Sequence, residues 1–364
     1  MRVPWRCGLL SPESGKALTP RKAVSDMAPY SPPTGNRHDK LRLDFNENTV
    51  GCSPRVIERL KSTLDSGLLT VYPDYARAKA ALSAHFRVSP DEVLLTNGTD
   101  EAIQVLVNTY VDDGDEVIVS RPSYAMYQFY SEVAGAKIVE VDYAAPALSF
   151  PLTGILAAIT PRTRAILIGN PNNPTGTATN LAGIEQIPKA APYAAVLIDE
   201  AYYEFFGVTA LSLLWKYPNL FVSRTFSKVY GMAALRMGCL FSQSANVKFL
   251  HKAQSPYSVN ALAAIAAEAA VEDTEYVENY VTEALAAREM LEVGLEKLGI
   301  EHVPGAANFV LGYFGARAVE VRDALREKAI LVRDRSYEIP GGVRITVGTR
   351  EQTRRVLSEL EKIW

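Results

Sequence analysis

The chain has 364 residues, 48% of them apolar and 22% charged, a globular composition with material for a large core and about two domains. Lys and Arg number 38 against 41 Asp and Glu, a net charge of −3, so the basic excess of a nucleic-acid binder is missing, and no apolar run approaches the roughly 18 residues of a membrane span. Three cysteines (Cys7, Cys52 and Cys239) without CxxC spacing argue against a disulfide framework or a zinc site, and for a cytoplasmic setting.

The first twenty or so residues carry Arg2, Arg6 and only a short apolar pair, Leu9-Leu10, too little for a signal peptide, so a tail is expected. Ser31-Pro32-Pro33-Thr34-Gly35-Asn36 reads as an irregular arm. From Leu43 the chain alternates short apolar runs with helical patterns. Val93-Leu94-Leu95, Val117-Ile118-Val119, Ala165-Ile166-Leu167-Ile168, Val196-Leu197-Ile198, Leu220-Phe221-Val222 and Cys239-Leu240-Phe241 are expected to be buried strands. Helices are expected over 101–110, 124–134 and 181–189. This alternation argues for an α/β fold, a mostly parallel sheet covered on both faces.

After about residue 245 the texture changes. Residues 260–298 are rich in Ala, Glu and Leu, with no proline and one glycine, and predict one or two long helices. Strands are expected over 308–313, 330–333 and 343–347, and an amphipathic closing helix over 352–364. That stretch suggests a smaller α+β domain.

No GxGxxG follows a strand, no P-loop and no HExxH occur, and the four histidines are scattered, which removes the common nucleotide and metal motifs. What remains is a set of polar clusters, each directly after an expected strand. Asn170-Pro171-Asn172-Asn173-Pro174-Thr175-Gly176 follows one, Asp199-Glu200-Ala201-Tyr202 another, and Thr225-Phe226-Ser227-Lys228 a third, with Arg236 eight residues on. Open α/β sheets place ligands at such strand ends.

These motifs, in this order, resemble the fold-type-I pyridoxal-phosphate aminotransferases, and among them the histidinol-phosphate aminotransferase family. The resemblance runs from about Arg21 to the C-terminus. It implies a large domain with a mostly parallel seven-stranded sheet sandwiched by helices, and a smaller α+β domain. The implied divisions are a tail at 1–20, an arm at 21–45 joining the small domain, a large cofactor-binding domain at 46–244 and a small domain at 245–364.

The resemblance also implies a cofactor, pyridoxal 5'-phosphate, and a role for each matched residue. Lys228 would join the cofactor through its amine, provided that amine is desolvated enough to lose its proton; the bland alternative is a surface lysine. Asp199 would keep the pyridine nitrogen protonated, unless it merely caps a helix. Tyr202 and Asn173 would bond the phenolic oxygen, although Asn173 could serve only as a turn residue. Tyr124 would stack on the ring, or be an ordinary core tyrosine. Gly98, Thr99 and Asp100, at a strand-to-helix turn, would cradle the phosphate with Thr225, Ser227 and Arg236. Tyr72 would reach across a homodimer interface to the partner's cofactor, or pack locally on Pro73.

For the substrate, the resemblance assigns Arg344 to a carboxylate, since apolar Val343 and Ile345 turn Arg344 to the opposite sheet face; a structural ion pair is the alternative. Tyr30 and Arg333 match positions that contact a substrate phosphate, and Asn46 lies in the arm beside the pocket. The implied partners are small molecules, L-histidinol phosphate and 2-oxoglutarate or glutamate, with no nucleic acid and no membrane. An aromatic amino-acid aminotransferase, a threonine-phosphate decarboxylase and a degenerate binding module stay open at this point.

Overall fold

The structure, a computed structural model, describes residues 18–28, 37–145 and 147–364. In chain order the strands are β1 Leu41–Leu43, β2 Val93–Thr96, β3 Glu116–Arg121, β4 Lys137–Asp142, β5 Thr163–Gly169, β6 Ala195–Asp199, β7 Leu220–Thr225, β8 Gly238–Phe241, β9 His302–Val303, β10 Phe309–Tyr313, β11 Ile330–Asp334 and β12 Gly342–Thr346. Seven form one sheet, in the order β2-β8-β7-β6-β5-β3-β4. Its pairings are parallel from β4 to β7, while β8 runs antiparallel to both β7 and β2. The other five form a small sheet, β1-β11-β12-β10-β9.

The six strands expected between residues 93 and 241 all belong to the large sheet, and each is longer than its apolar core by one to three residues. The seventh, β4, reads Lys137-Ile138-Val139-Glu140-Val141-Asp142 and is half exposed. As the edge strand it needs charge rather than a continuous apolar run, so sequence pattern passes over it. The central strands are buried on both faces, and their side chains divide by the two-residue pleat. Ile166, Ile168, Val196, Ile198 and Val222 face one core, whereas Leu167, Leu197 and Phe221 face the other.

The helices expected at 101–110 and 124–134 are Gly98–Tyr110 and Ala125–Ala134. The Ala-rich stretch forms two helices, Ala261–Glu272 and Thr274–Lys297, the first capped by Asn260, which accepts from the Ala263 N–H at 2.8 Å. The closing helix begins earlier than expected, at Arg350. A reciprocal cap sets that start: Thr349 accepts from the Gln352 N–H, and Gln352 reaches back to the Thr349 N–H. Helices Pro54–Thr63, Ala76–Phe86, Ser244–Ala253 and Ala318–Glu327 were not among the expected elements.

The N-terminal arm enters the small sheet as β1, parallel to β11, with Leu41 opposite Ile330. Leu43 packs there with Ala287, Leu291, Val310 and Val343. Directly after β1 the chain crosses to the C-terminal edge of the large sheet, where the polar clusters collect. Among the described residues no helix is long and apolar enough to cross a membrane, and no group of three or more His, Cys, Asp or Glu side chains is placed to hold a metal.

Candidate active site

Strands β5, β6 and β7 end at the same sheet edge, and their following loops enclose a cavity of about 220 Å³. Asn173 comes from the β5 loop, Asp199 and Tyr202 from the end of β6, Thr225, Ser227 and Lys228 from the end of β7. Thr99 and Asp100, from the turn after β2, and Tyr124, just before helix Ala125–Ala134, line the same space, as does Arg236.

Lys228 is no surface lysine. Its amine lies within the fold and donates to the Phe45 carbonyl at 2.9 Å. Burial, with the Arg344 charge nearby, pulls its pKa down to about 8. Asp199 is buried and accepts from the Ser223 hydroxyl and the Tyr127 hydroxyl, each at 2.8 Å. Burial raises its pKa, and those two donors oppose the rise.

The Tyr202 hydroxyl accepts from Asn46 Nδ2 at 2.9 Å, and Asn46 is itself tied to Thr346 of β12. Tyr124 donates to Asp100 Oδ1 at 2.8 Å, and Arg236 Nη2 donates to the other oxygen, Oδ2, at 3.1 Å. The N-cap of the helix that carries Asp100 is Asn97.

The turn after β2 is built for close approach. Gly98 has φ +74°, and a Cβ there would stand 2.5 Å from Arg236 Nη2. A Cβ on Gly238 would stand 2.8 Å from the Gly98 carbonyl carbon and 2.9 Å from the Thr99 nitrogen. Two glycines thus let backbone amides, at the N-terminus of helix Gly98–Tyr110, sit directly against a guanidinium. That is a cradle for an anion.

Arg344 lies behind the cavity wall. It is buried, donates from Nη1 to Asn173 Oδ1, and donates from Nη2 to the Asp44 carbonyl at 2.5 Å. Its Nε is buried without a partner, and among the described residues no carboxylate pairs with it. Burial is the main cause that lowers its pKa to about 10. Arg333 stands opposite Arg344 in register, with its guanidinium 5.8 Å from the Phe45 ring centre, outside the cavity lining. Tyr72 is 75% exposed and stacked on Tyr257 at 4.4 Å, so one chain alone does not bring it to the cavity. Tyr30 lies outside the described residues.

Phe45, Glu47 and Tyr127 also line the cavity, and sequence reading gave none of them a role. Tyr127 is one helical turn beyond Tyr124, a spacing that would have flagged it. Phe45 and Glu47 belong to the arm, where Arg37 bridges Asp44 at 2.7 Å and Glu47 at 2.8 Å and lies over the Phe45 ring at 4.3 Å. No local pattern announces that contact.

Residues 38–360 match the family described as aminotransferase class I and II. The chain belongs to that family. It is similar to a histidinol-phosphate aminotransferase of Symbiobacterium thermophilum, 36% identical over 94% of this chain and 97% of the relative. A histidinol-phosphate aminotransferase 1 of Mannheimia succiniciproducens is 35% identical over 89% of each chain. Among solved structures, the Sinorhizobium meliloti histidinol-phosphate aminotransferase in complex with pyridoxal-5'-phosphate superposes with a TM-score of 0.86 at 23% identity, covering 96% of this chain and 98% of that one. At that identity the likeness is one of fold, and the fold is that of the fold-type-I aminotransferases.

Proposed function

We propose that the protein is a pyridoxal-phosphate-dependent aminotransferase that moves an amino group from L-histidinol phosphate to 2-oxoglutarate. The observation that carries this reading is the pairing of a buried amine, Lys228, with a buried carboxylate, Asp199, across one small cavity at the strand ends. The curated relatives named above supply the substrate.

The side chains present fit the cofactor. The glycine-lined turn, the Thr225 and Ser227 hydroxyls and Arg236 suit its phosphate; Asp199 suits a protonated pyridine nitrogen; Tyr124 suits the ring face; Tyr202 and Asn173 suit the phenolic oxygen. When bound, the group supplies an aldehyde carbon that takes up the donor's nitrogen and a ring that accepts the electron pair of the broken α C–H bond. Lys228 holds the cofactor at rest, then takes the α-proton on Nζ and returns it. Asp199 holds a negative charge where the ring needs it, kept in place by Ser223 and Tyr127. Arg344, held behind the cavity wall by Asn173 and the Asp44 carbonyl with its Nε unpartnered, would take the carboxylate of glutamate or 2-oxoglutarate.

A pKa near 8 has a direct kinetic sign. The neutral amine of Lys228 is the species that reacts with an aldehyde, and below about pH 8 its fraction falls tenfold per pH unit. Uptake of the cofactor by apoenzyme, followed by visible absorbance, is expected to speed up about tenfold per unit from about pH 6 and to level off above about pH 8. A rate already flat across that range would contradict a depressed amine pKa.

Phosphate recognition rests on Arg333. Arg333→Ala is expected to cut kcat/KM for histidinol phosphate by about ten- to a hundredfold while sparing L-phenylalanine. An equal loss on both donors would remove Arg333 from that role. A second reading, an aromatic amino acid as donor, draws on the stacking of Arg333 over Phe45 rather than into the cavity; assaying both donors side by side decides between them.

The proposed assembly is a homodimer in the cytoplasm. Tyr72 is exposed beside Leu69 and Val71, 66% and 70% exposed, an apolar surface suited to a second copy of the chain. In that arrangement Tyr72 reaches the second copy's cavity.

A further inference from the structure

One short segment touches three of the side chains assigned to the reaction. The Asp44 carbonyl accepts from Arg344 Nη2 at 2.5 Å, the Phe45 carbonyl accepts from Lys228 Nζ at 2.9 Å, and Asn46 Nδ2 donates to the Tyr202 hydroxyl at 2.9 Å. Phe45 and Glu47 also line the catalytic cavity. Residues 44–47 are thus a strap across the site, and its placement sets three contacts at once.

The strap lies beyond the last residue of β1, outside the strand pairing with β11. Asn46 has φ +58°, a left-handed conformation that carries a cost and persists where neighbours enforce it. On its inner side Asn46 is tied to Thr346 and Asn308. On the outer side stands Arg37. Its guanidinium donates from Nε and Nη2 to the two Asp44 oxygens at 3.3 and 2.7 Å, and from Nη1 and Nη2 to the two Glu47 oxygens at 3.1 and 2.8 Å. The same group lies 4.3 Å from the centre of the Phe45 ring. Arg42 adds one weaker bond to Glu47, at 3.3 Å.

One side chain therefore grips three of the four strap residues. A planar fork suits that task, because it can bond carboxylates bidentately and still stack on a ring. Arg37 itself is outside the cavity lining, so any effect it has on the chemistry passes through the strap.

We propose that Arg37 is a positioning residue of the aminotransferase, holding the strap so that the Phe45 carbonyl closes over the Lys228 amine and keeps water from it. The proposal rests on the role given to Lys228 above. Burial is the largest influence on that amine and lowers its pKa to about 8; the charges acting on it come from Arg344 of β12, Glu47 of the strap, Asp100 and Arg236. A strap that swings away admits water, which replaces the carbonyl and hydrates the ammonium further, so the pKa rises toward that of a free lysine.

A direct effect of charge has a different signature. Arg37→Ala removes a positive charge and Asp44→Asn a negative one, so through the field alone the two would move the amine in opposite directions. Through the strap they move it the same way.

The readout is the rate at which apoenzyme takes up pyridoxal 5'-phosphate, followed by visible absorbance against pH. Both variants are expected to shift the midpoint upward by at least about one pH unit, and so to take up the cofactor about tenfold more slowly near about pH 7. Thermal unfolding is expected to change little, since the Arg37 side chain is 24% exposed and such pairs add little to stability. Should Arg37→Ala fail to fold, Asp44→Asn alone decides, because a charge effect there has the opposite sign. An unshifted midpoint in the folded variants, shifts of opposite sign, or a lowered Tm with a wild-type midpoint overturns the proposal and leaves the cofactor site standing. Wild-type apoenzyme that takes up no cofactor overturns the aminotransferase reading, and this proposal with it.

Discussion

Lys228→Ala is expected to lower turnover by at least about a thousandfold, with loss of the visible cofactor absorbance of the purified protein. Lys228 is the single lysine among the described residues that line the cavity, so no neighbouring amine among them can stand in. Arginine does not rescue, because its guanidinium stays protonated and cannot act as base or nucleophile. The fold should survive: an ammonium held inside is a cost to stability, and its removal leaves only the Phe45 carbonyl without a donor. Thermal unfolding measured beside activity separates the two effects. A variant with wild-type absorbance and turnover would end the assignment.

The second large effect belongs to Asp199. Asp199→Asn removes the charge and keeps the size, and is expected to lower kcat by about a hundred- to a thousandfold with a smaller change in KM. Asp199→Ala should be no more active and less stable. It leaves the Tyr127 and Ser223 hydroxyls buried without their acceptor, at about 1–3 kcal/mol each. Stability near wild type in the Asn variant with collapsed kcat is the signature of a chemical role; parallel losses of stability and activity in both variants would point to a structural one.

Much of this site is legible in sequence for a physical reason. A strand buried on both faces must be apolar throughout, so the polar residue that ends the run marks the sheet edge where ligands sit. Asp199 after Val196-Leu197-Ile198 is found that way, whereas two polar residues separate Thr225 from the end of Leu220-Phe221-Val222. Edge strand β4 escapes because solvent on one side relaxes that demand. Phe45 and Glu47 escape because their position depends on pairing between β1 and β11, which lie almost a chain length apart. The Arg344–Asn173 and Asn46–Tyr202 bonds are likewise long-range. What they contribute is visible only once the two sheets are placed together.

The parallel pairing of Leu41–Leu43 with β11 also sets an order of events during synthesis. A chain emerges N-terminus first, so among the described residues β1 is made before every other strand, yet its neighbour is among the last. All seven strands of the large sheet are available before β11 exists, whereas Phe45 cannot take its place at the cavity until that partner arrives. Closing so distant a contact is slow. A nascent chain stopped before residue 330 would therefore carry the loops that bear Asp199 and Lys228 but lack the wall that seals them. The cavity is completed only when β1 and β11 meet.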